Sequence, residues 1–292
     1  MSQLYDITLA IHYRYQNPAR SARTLLRMQP LNRPDQRLVS GLLTIDPAPA
    51  TRRDWTDFFG NAICEVAHDA PTDRLTFRYS GRVERIGVPE GLDLSCPLAA
   101  LGEEMAEIGD LGPGAPHHFI GASERVQPVP EITAFARAVT APAMSALTAV
   151  RGDLAADARR VRLRPDRHGR AHRPRRGLPQ PPGRLSGHQP CHHRGAARGR
   201  HPGRLRLGLS AHRAARGQAP AGRRRRHARR VRAWCGTELG WVQIDPTNDM
   251  RVGTDHVMVA LGRDYADVAP VRGTLTSAGA HDTRHHVDVV PV

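Results

Sequence analysis

The sequence predicts an α+β protein, with an N-terminal β-sandwich-like domain, a second part that begins as helix and returns to strands, and a disruption at about residues 160–230. Three observations carry this. Up to about Ile86, short apolar–polar alternations are separated by turn signals. Proline then becomes frequent and the apolar spacing turns helical. One internal block has a composition unlike anything around it.

Tyr5, Ile7, Leu9, Ile11 and Tyr13 alternate with Asp6, Thr8, Ala10, His12 and Arg14, the period of a half-buried strand. This register places Tyr5, Ile7, Leu9 and Ile11 on one core, together with Leu75, Phe77 or Tyr79, and leaves Thr8 and Ala10 outside. Further strands are expected at Leu38–Ile45 and Ile63–Ala67, with a turn at Asp57–Asn61 before the latter. Leu101–Ile108 reads as a short helix and Gly112–Pro116 as loop. Glu131–Val139 has Ile132, Phe135, Ala136 and Val139 at helical spacing, with Pro130 where a helix begins. Val231–Trp234 and Trp241–Ile244 read as a strand pair; His256–Leu261 and Val287–Val292 are further strand candidates. The domain expectation is residues 1–125 for the β-domain and linker, and 126–292 for the second part, with 159–230 inserted in it.

The chain has 292 residues and a formal charge of +15. The charge is local: Arg159–Arg230 holds about 23 arginines against one acid, Asp166, which leaves the remainder mildly acidic. No lysine is present, which excludes Schiff-base and P-loop chemistry. Cys64, Cys96, Cys191 and Cys235 form no C-x-x-C pair and no disulfide-scaffold spacing, which fits a reducing compartment. No signal pattern opens the chain, and Arg137 interrupts the best apolar window, Phe135–Val150. The expectation is a cytoplasmic protein with no membrane partner, no cofactor and no metal; the charge alone calls for no specific nucleic acid.

Between Arg159 and Arg230 there is no Phe, Tyr, Trp, Ile or Met, and Val161 is the only β-branched apolar residue. Such a stretch cannot bury enough apolar area to offset its chain entropy, so little regular structure is expected there. Three readings compete: an Arg-rich nucleic-acid-binding arm, a natural disordered linker, and translation in the wrong frame. GC-rich DNA read out of register yields Arg, Gly, Pro and Ala. The frame reading has a test within the protein. Leu185-Ser186-Gly187-His188 written CTG-TCA-GGA-CAC regroups to TGT-CAG-GAC, Cys-Gln-Asp, and the junctions before it allow Gly-Val. Arg200–Arg213 regroups to Gly-Ile-Pro-Ala-Ala-Tyr-Val-Ser-Gly-Tyr-Leu-Arg-Thr. Gly222–Arg230 permits Gly-Ala-Asp-Ala-Thr-His-Ala. Any one junction is weak; agreement of many in one frame favours a shift.

The regrouped Gly-Val-Cys-Gln-Asp and Thr-His-Ala strings precede the visible Trp241-Val242-Gln243-Ile244-Asp245-Pro246-Thr247-Asn248. Together they resemble the bacterial transglutaminase-like superfamily, whose members are described as cysteine peptidases. Ser95-Cys96-Pro97-Leu98 and Gly112–Ile120 look like the stretch after that family's N-terminal β-domain, and Gly262–Val268 looks like its C-terminal strands. The resemblance implies a transglutaminase/papain-like core with a Cys–His–Asp triad. In it a thiolate attacks an amide carbonyl of a peptide or protein, a His takes the proton, and an Asp fixes the His tautomer.

Only the Asp carries over, onto Asp245. The nucleophile would be encoded across Leu185 and Ser186, and the base across Ala228 and Arg229, so neither is present and the chain as written is expected to be inactive. Read alone, Asp245 is also an ordinary turn residue ahead of Pro246. Cys191-His192-His193 lacks the apolar scaffold and ligand spacing that would make it a nucleophile or metal site. Cys64, Cys96 and Cys235 read as structural thiols. Two other classes stay open: a non-catalytic binding or scaffold protein, and an Arg-mediated nucleic-acid binder.

Overall fold

The structure, a computed structural model, describes residues 2–87, 91–123, 125–152, 184–185, 207–210, 230–245 and 250–292. It is mostly β and built around one long first strand. β1 (Ser2–Leu26) is antiparallel to β5 (Thr72–Ile86) on one side and β12 (His281–Pro291) on the other along its first half. Its second half lies between β4 (Ala62–His68) and β11 (Val271–Thr276). The register breaks between Arg14 and Ala19 and again between Arg20 and Arg23, where Ser21 has a φ of 50°. At these breaks β1 leaves one set of partners for another, so a single sheet curls into two facing layers. β2 (Gln36–Asp46) adds to β5 and β3 (Thr51–Thr56) to β4 at the edges.

The alternation read from the sequence is the burial pattern observed. Tyr5, Ile7, Ile11 and Tyr13 of β1 pack with Leu75, Phe77 and Tyr79 of β5 in one core, and Leu9 lies against it half-buried. Ala10 departs from the expectation: it is buried although it points away from that core. Its cross-strand neighbours are Arg78 and His286, whose long side chains flank a small methyl.

The turn at Asp57–Asn61 is as expected. The Asp57 carboxylate accepts from the backbone N–H of Phe59 and of Asn61, and Gly60 takes a φ of 81°. α1 (Leu101–Ala106) and α2 (Pro130–Val139) form where helical spacing placed them, and Ile132, Phe135, Ala136 and Val139, with Thr133, are the half-buried positions of α2. A further helix, α3, covers residues 146–152 and buries Ala146, Leu147 and Val150. No helix among the described residues is long and apolar enough to cross a membrane.

Most of residues 159–230, with the expectation of little regular structure there, lies outside the described residues. Described within it are two short strands, β6 (Arg184–Leu185) beside β11 and β7 (Leu207–Ser210) beside β8 (Arg230–Trp234). β8 pairs with β9 (Trp241–Asp245), as expected, and β10 (Met250–Arg251) follows on β9.

Two expectations fail. His256–Leu261 is not a strand, because side-chain amides take the place of a neighbouring ladder. Gln36 donates to the carbonyls of Leu31 and Met258 and accepts from the Met258 N–H at 2.6 Å. Asn61 likewise donates to the Leu261 carbonyl and accepts from the Leu261 N–H, both at 2.7 Å. Gly262–Val268, compared above with C-terminal strands, contains a one-turn helix, α4 (Tyr265–Val268). Asp264 caps it by accepting from the Ala266 N–H at 2.7 Å.

Candidate functional site

The β8–β9 hairpin has two unlike faces. Val231, Ala233, Cys235, Val242 and Ile244 are buried, and all but Val231 belong to an apolar cluster with Leu101 of α1 and Ala146, Leu147 and Val150 of α3. The intervening residues Arg230, Arg232, Trp234, Trp241, Gln243 and Asp245 fall on the opposite face. Arg232 stacks over the Trp241 ring at 4.9 Å, and the Trp241 indole donates to the Gly114 carbonyl at 2.7 Å. Trp241 continues through Phe119 and Phe59 to Phe58 and His118, an aromatic run that joins the hairpin to the Asp57–Asn61 turn.

Asp245 ends β9 with no solvent exposure. His256 is also buried, and its Nε2 lies 3.7 Å from Asp245 Oδ2. The buried amides of Gln36 and Asn61 fix the 256–261 segment, so the N-terminal sheet sets where this imidazole stands. The ladder pairing Val231 with Ile244 carries Arg230 to the place opposite Asp245, just after the two positions where the sequence located the missing base. Arg230 is fully buried, and none of its three guanidinium nitrogens has a hydrogen-bond partner. Burial pushes its pKa down to about 9 against the opposing pull of Asp245. Nearby, Arg85 donates to the Asp35 carboxylate at 3.0 Å and to the Gly253 carbonyl at 3.3 Å.

Asp245 and His256 therefore form a carboxylate–imidazole pair, the part of a triad that orients a base. A nucleophile does not join them among the described residues. Cys64 is buried in the sheet core, and burial, reinforced by Asp54, pushes its thiol up to about 12. Cys96 lies beside Glu104; burial and that carboxylate push it up to about 12 as well. Cys235 is fully buried, with Sγ 3.7 Å from the Ala233 carbonyl. Neither Cys64 nor Cys96 is a preformed thiolate. Cys191, His192, His193, Ser186, Ala228 and Arg229 lie outside the described residues, as do Pro246, Thr247 and Asn248. No cluster of metal-ligating side chains occurs among the described residues. Sequence reading missed His256, which sat inside an expected strand, and Arg230, which was counted with the arginine block.

Residues 5–84 match the bacterial transglutaminase-like N-terminal region. Uncharacterised proteins of Mycobacterium tuberculosis and Mycobacterium bovis are each 29% identical over 315 aligned residues, covering 98% of this chain and 92% of the relative. A Mycobacterium leprae protein is 44% identical over 52 residues, 18% of each chain. A solved structure from Cytophaga hutchinsonii, provisionally named a cysteine protease, superposes with a TM-score of 0.63 at 14% identity, covering 100% of this chain and 91% of that one. At that identity the likeness is one of fold. The matched stretch takes in most of β1 and β5 and all of β2, β3 and β4, the N-terminal strands of the curled sheet. By that match, the family likeness covers residues 5–84, and the rest of the chain shares with the solved structure its fold.

Proposed function

We propose that this chain is an α+β, transglutaminase-like cysteine hydrolase or acyltransferase scaffold for peptide or protein amides, catalytically inactive as written. Its β-domain spans about 1–125 and its core 126–292, with the catalytic Cys and His segment replaced by out-of-frame sequence and the protein held in the cytoplasm. The observation that carries the inactivity is Arg230 opposite Asp245. A guanidinium stays protonated and accepts no proton, so it cannot activate a thiol. His256 is held near Asp245, but the thiols of Cys64 and Cys96 are both pushed up to about 12. Loss of a triad member costs several powers of ten in rate. Without a nucleophile the chain keeps only what its sheet can bind, which makes a non-catalytic binding role the second reading.

The test compares the chain as written with a frame-restored chain, compensated near codons 160 and 230. Both are treated with a thiol-selective electrophile and a generic peptide-amide substrate. The chain as written should show no Cys-dependent turnover, and Leu185→Cys or Ser186→Cys should restore none. The restored chain should gain one fast-reacting thiol together with turnover. Turnover by the chain as written, or a restored chain that stays unfolded, refutes the proposal.

A further inference from the structure

We propose that β2 is a dimerisation strand: its open edge pairs antiparallel with β2 of a second copy of this chain, across a two-fold axis at Leu42. β2 lies at one end of the sheet and is hydrogen-bonded to β5 alone among the described strands. Soluble proteins blunt such edges with charge, proline or shortness. Two other edge strands here are blunted in this way. β3 is six residues long and carries Arg52, Arg53 and Asp54, and β12 carries Asp282, Arg284 and Asp288. β2 differs: from Leu38 to Ile45 it has neither charge nor proline. Val39 and Leu42 stand on it 50% and 65% exposed. An edge of that composition is open to another strand.

The chain itself occupies one end of this edge. The Gln36 N–H donates to the Arg33 carbonyl at 3.0 Å and the Leu38 N–H to the Asn32 side chain at 2.7 Å, so both peptides turn away from β5. A bulge between Leu38 and Ser40 shifts the alternation by one residue. Beyond it the peptide groups of Gly41, Leu43 and Ile45 face outward, while those of Leu42, Thr44 and Asp46 face β5. The side chains of Leu43 and Ile45 rest on the core, and Leu42, Thr44 and Asp46 stand exposed on the other face.

A second copy fits this edge because the strand is complementary to itself. An axis at Leu42 sets Gly41 of each copy against Leu43 of the other. That makes two hydrogen-bonded pairs and keeps every side chain on its own face. Between them Leu42 meets its counterpart in a non-hydrogen-bonded pair, where side chains come closest. Past the bulge the same alignment brings Arg37 of each copy opposite Asp46 of the other. Arg37 is 69% exposed while its guanidinium holds Glu84 at 2.7 Å, and Asp46 is exposed. An axis at Leu43 would also match the faces, but it sets Arg37 opposite Ala48 and Asp46 beside Ser40, so the charges select Leu42. A ladder this short buries less than a permanent interface, so the dimer should dissociate on dilution.

Sedimentation equilibrium of the full chain, over a range of concentrations, should show a reversible monomer–dimer equilibrium. Leu42→Glu sets two carboxylates against each other at the axis and should weaken the dimer about tenfold or more. Arg37→Asp and Asp46→Arg should each weaken it about threefold or more, and the double variant should recover most of the loss. Leu42→Cys should cross-link on mild oxidation, because the facing Cα atoms of such a pair lie about 4.5 Å apart, within disulfide reach. Trp55→Cys, on the blunted edge β3, should cross-link no faster than the parent chain. Circular dichroism and urea unfolding confirm that each variant is folded. A chain that stays monomeric at its highest soluble concentration overturns the proposal, as does a dimer indifferent to Leu42→Glu. Leu42→Cys cross-linking no better than Trp55→Cys overturns it too, and so does a double charge variant no tighter than either single one.

Discussion

Arg230 sits in the interior with a charge that no hydrogen bond compensates. Desolvating a guanidinium costs several kcal/mol unless its donors are used, and no ion pair within 4 Å joins it to Asp245 among the described contacts. Arg230→Met keeps the volume and removes the charge. It should raise stability by about 1–3 kcal/mol in urea denaturation. A loss of stability instead would show that Arg230 compensates Asp245 at a distance. Cys96 offers a second check at this scale. Because burial and Glu104 raise its pKa to about 12, its alkylation rate in the folded protein should keep climbing with pH past 10. A plateau near pH 9 would mean an ordinary exposed thiol.

Between residue and domain, the segment from His256 to Leu261 is an element without a ladder of its own. Its order rests on one backbone bond, from the Leu31 N–H to the Met258 carbonyl, and on Gln36 and Asn61, each of which supplies a donor and an acceptor as a backbone peptide would. Asn61→Ala should orphan the Leu261 N–H and carbonyl and cost about 2–4 kcal/mol, since each buried unsatisfied group costs about 1–3 kcal/mol. Unchanged urea stability would show that this amide is not what holds the segment. α4 carries a pH dependence of known sign. Burial pushes Asp264 up, but hydrogen bonds from Ser123, Arg125, Ala266 and Asp267 outweigh it, and its pKa ends below the ordinary aspartate value. Its contribution to stability is therefore complete above the unfolded-chain value and is lost as pH falls through the lower folded value. Asp264→Asn should flatten the acid limb of a stability–pH curve; an unchanged limb would remove Asp264 from the account. The strands of the first ninety or so residues were legible because one buried face imposes period two on the chain. His256–Leu261 was misread because its apolar content records burial, whereas the partner that satisfies its backbone is two amides about 200 residues away in sequence.

The whole molecule is organised by pairings that no local window contains. β12 runs beside the first half of β1 from Tyr5 opposite Pro291 to Tyr15 opposite His281, and β11 runs beside the second half. Val287–Val292 was readable as a strand, but its partner was not, because alternation marks a face and carries no address. The same limit hid His256 beside Asp245, two residues brought together by a side-chain clamp rather than a motif. A fragment of residues 1–125 lacks both C-terminal neighbours of β1 and should fail to unfold cooperatively. Adding residues 270–292 as a separate peptide should restore a sigmoidal transition. A cooperative transition from the fragment alone would mean that the first five strands form a self-sufficient sheet.

β1 also sets the order in which this protein can be finished during translation. Its open edge leaves the ribosome long before the strands that cover it, which come from codons 271 onward. At about 5–20 residues per second, that edge waits on the order of ten seconds or more for its mate, a template for any stray strand nearby. Whatever occupies the middle of the chain during that interval acts as a tether of fixed contour between two halves of one sheet. Changes there alter how long the nascent edge is exposed and how far it must search, without altering a single contact in the sheet that finally forms.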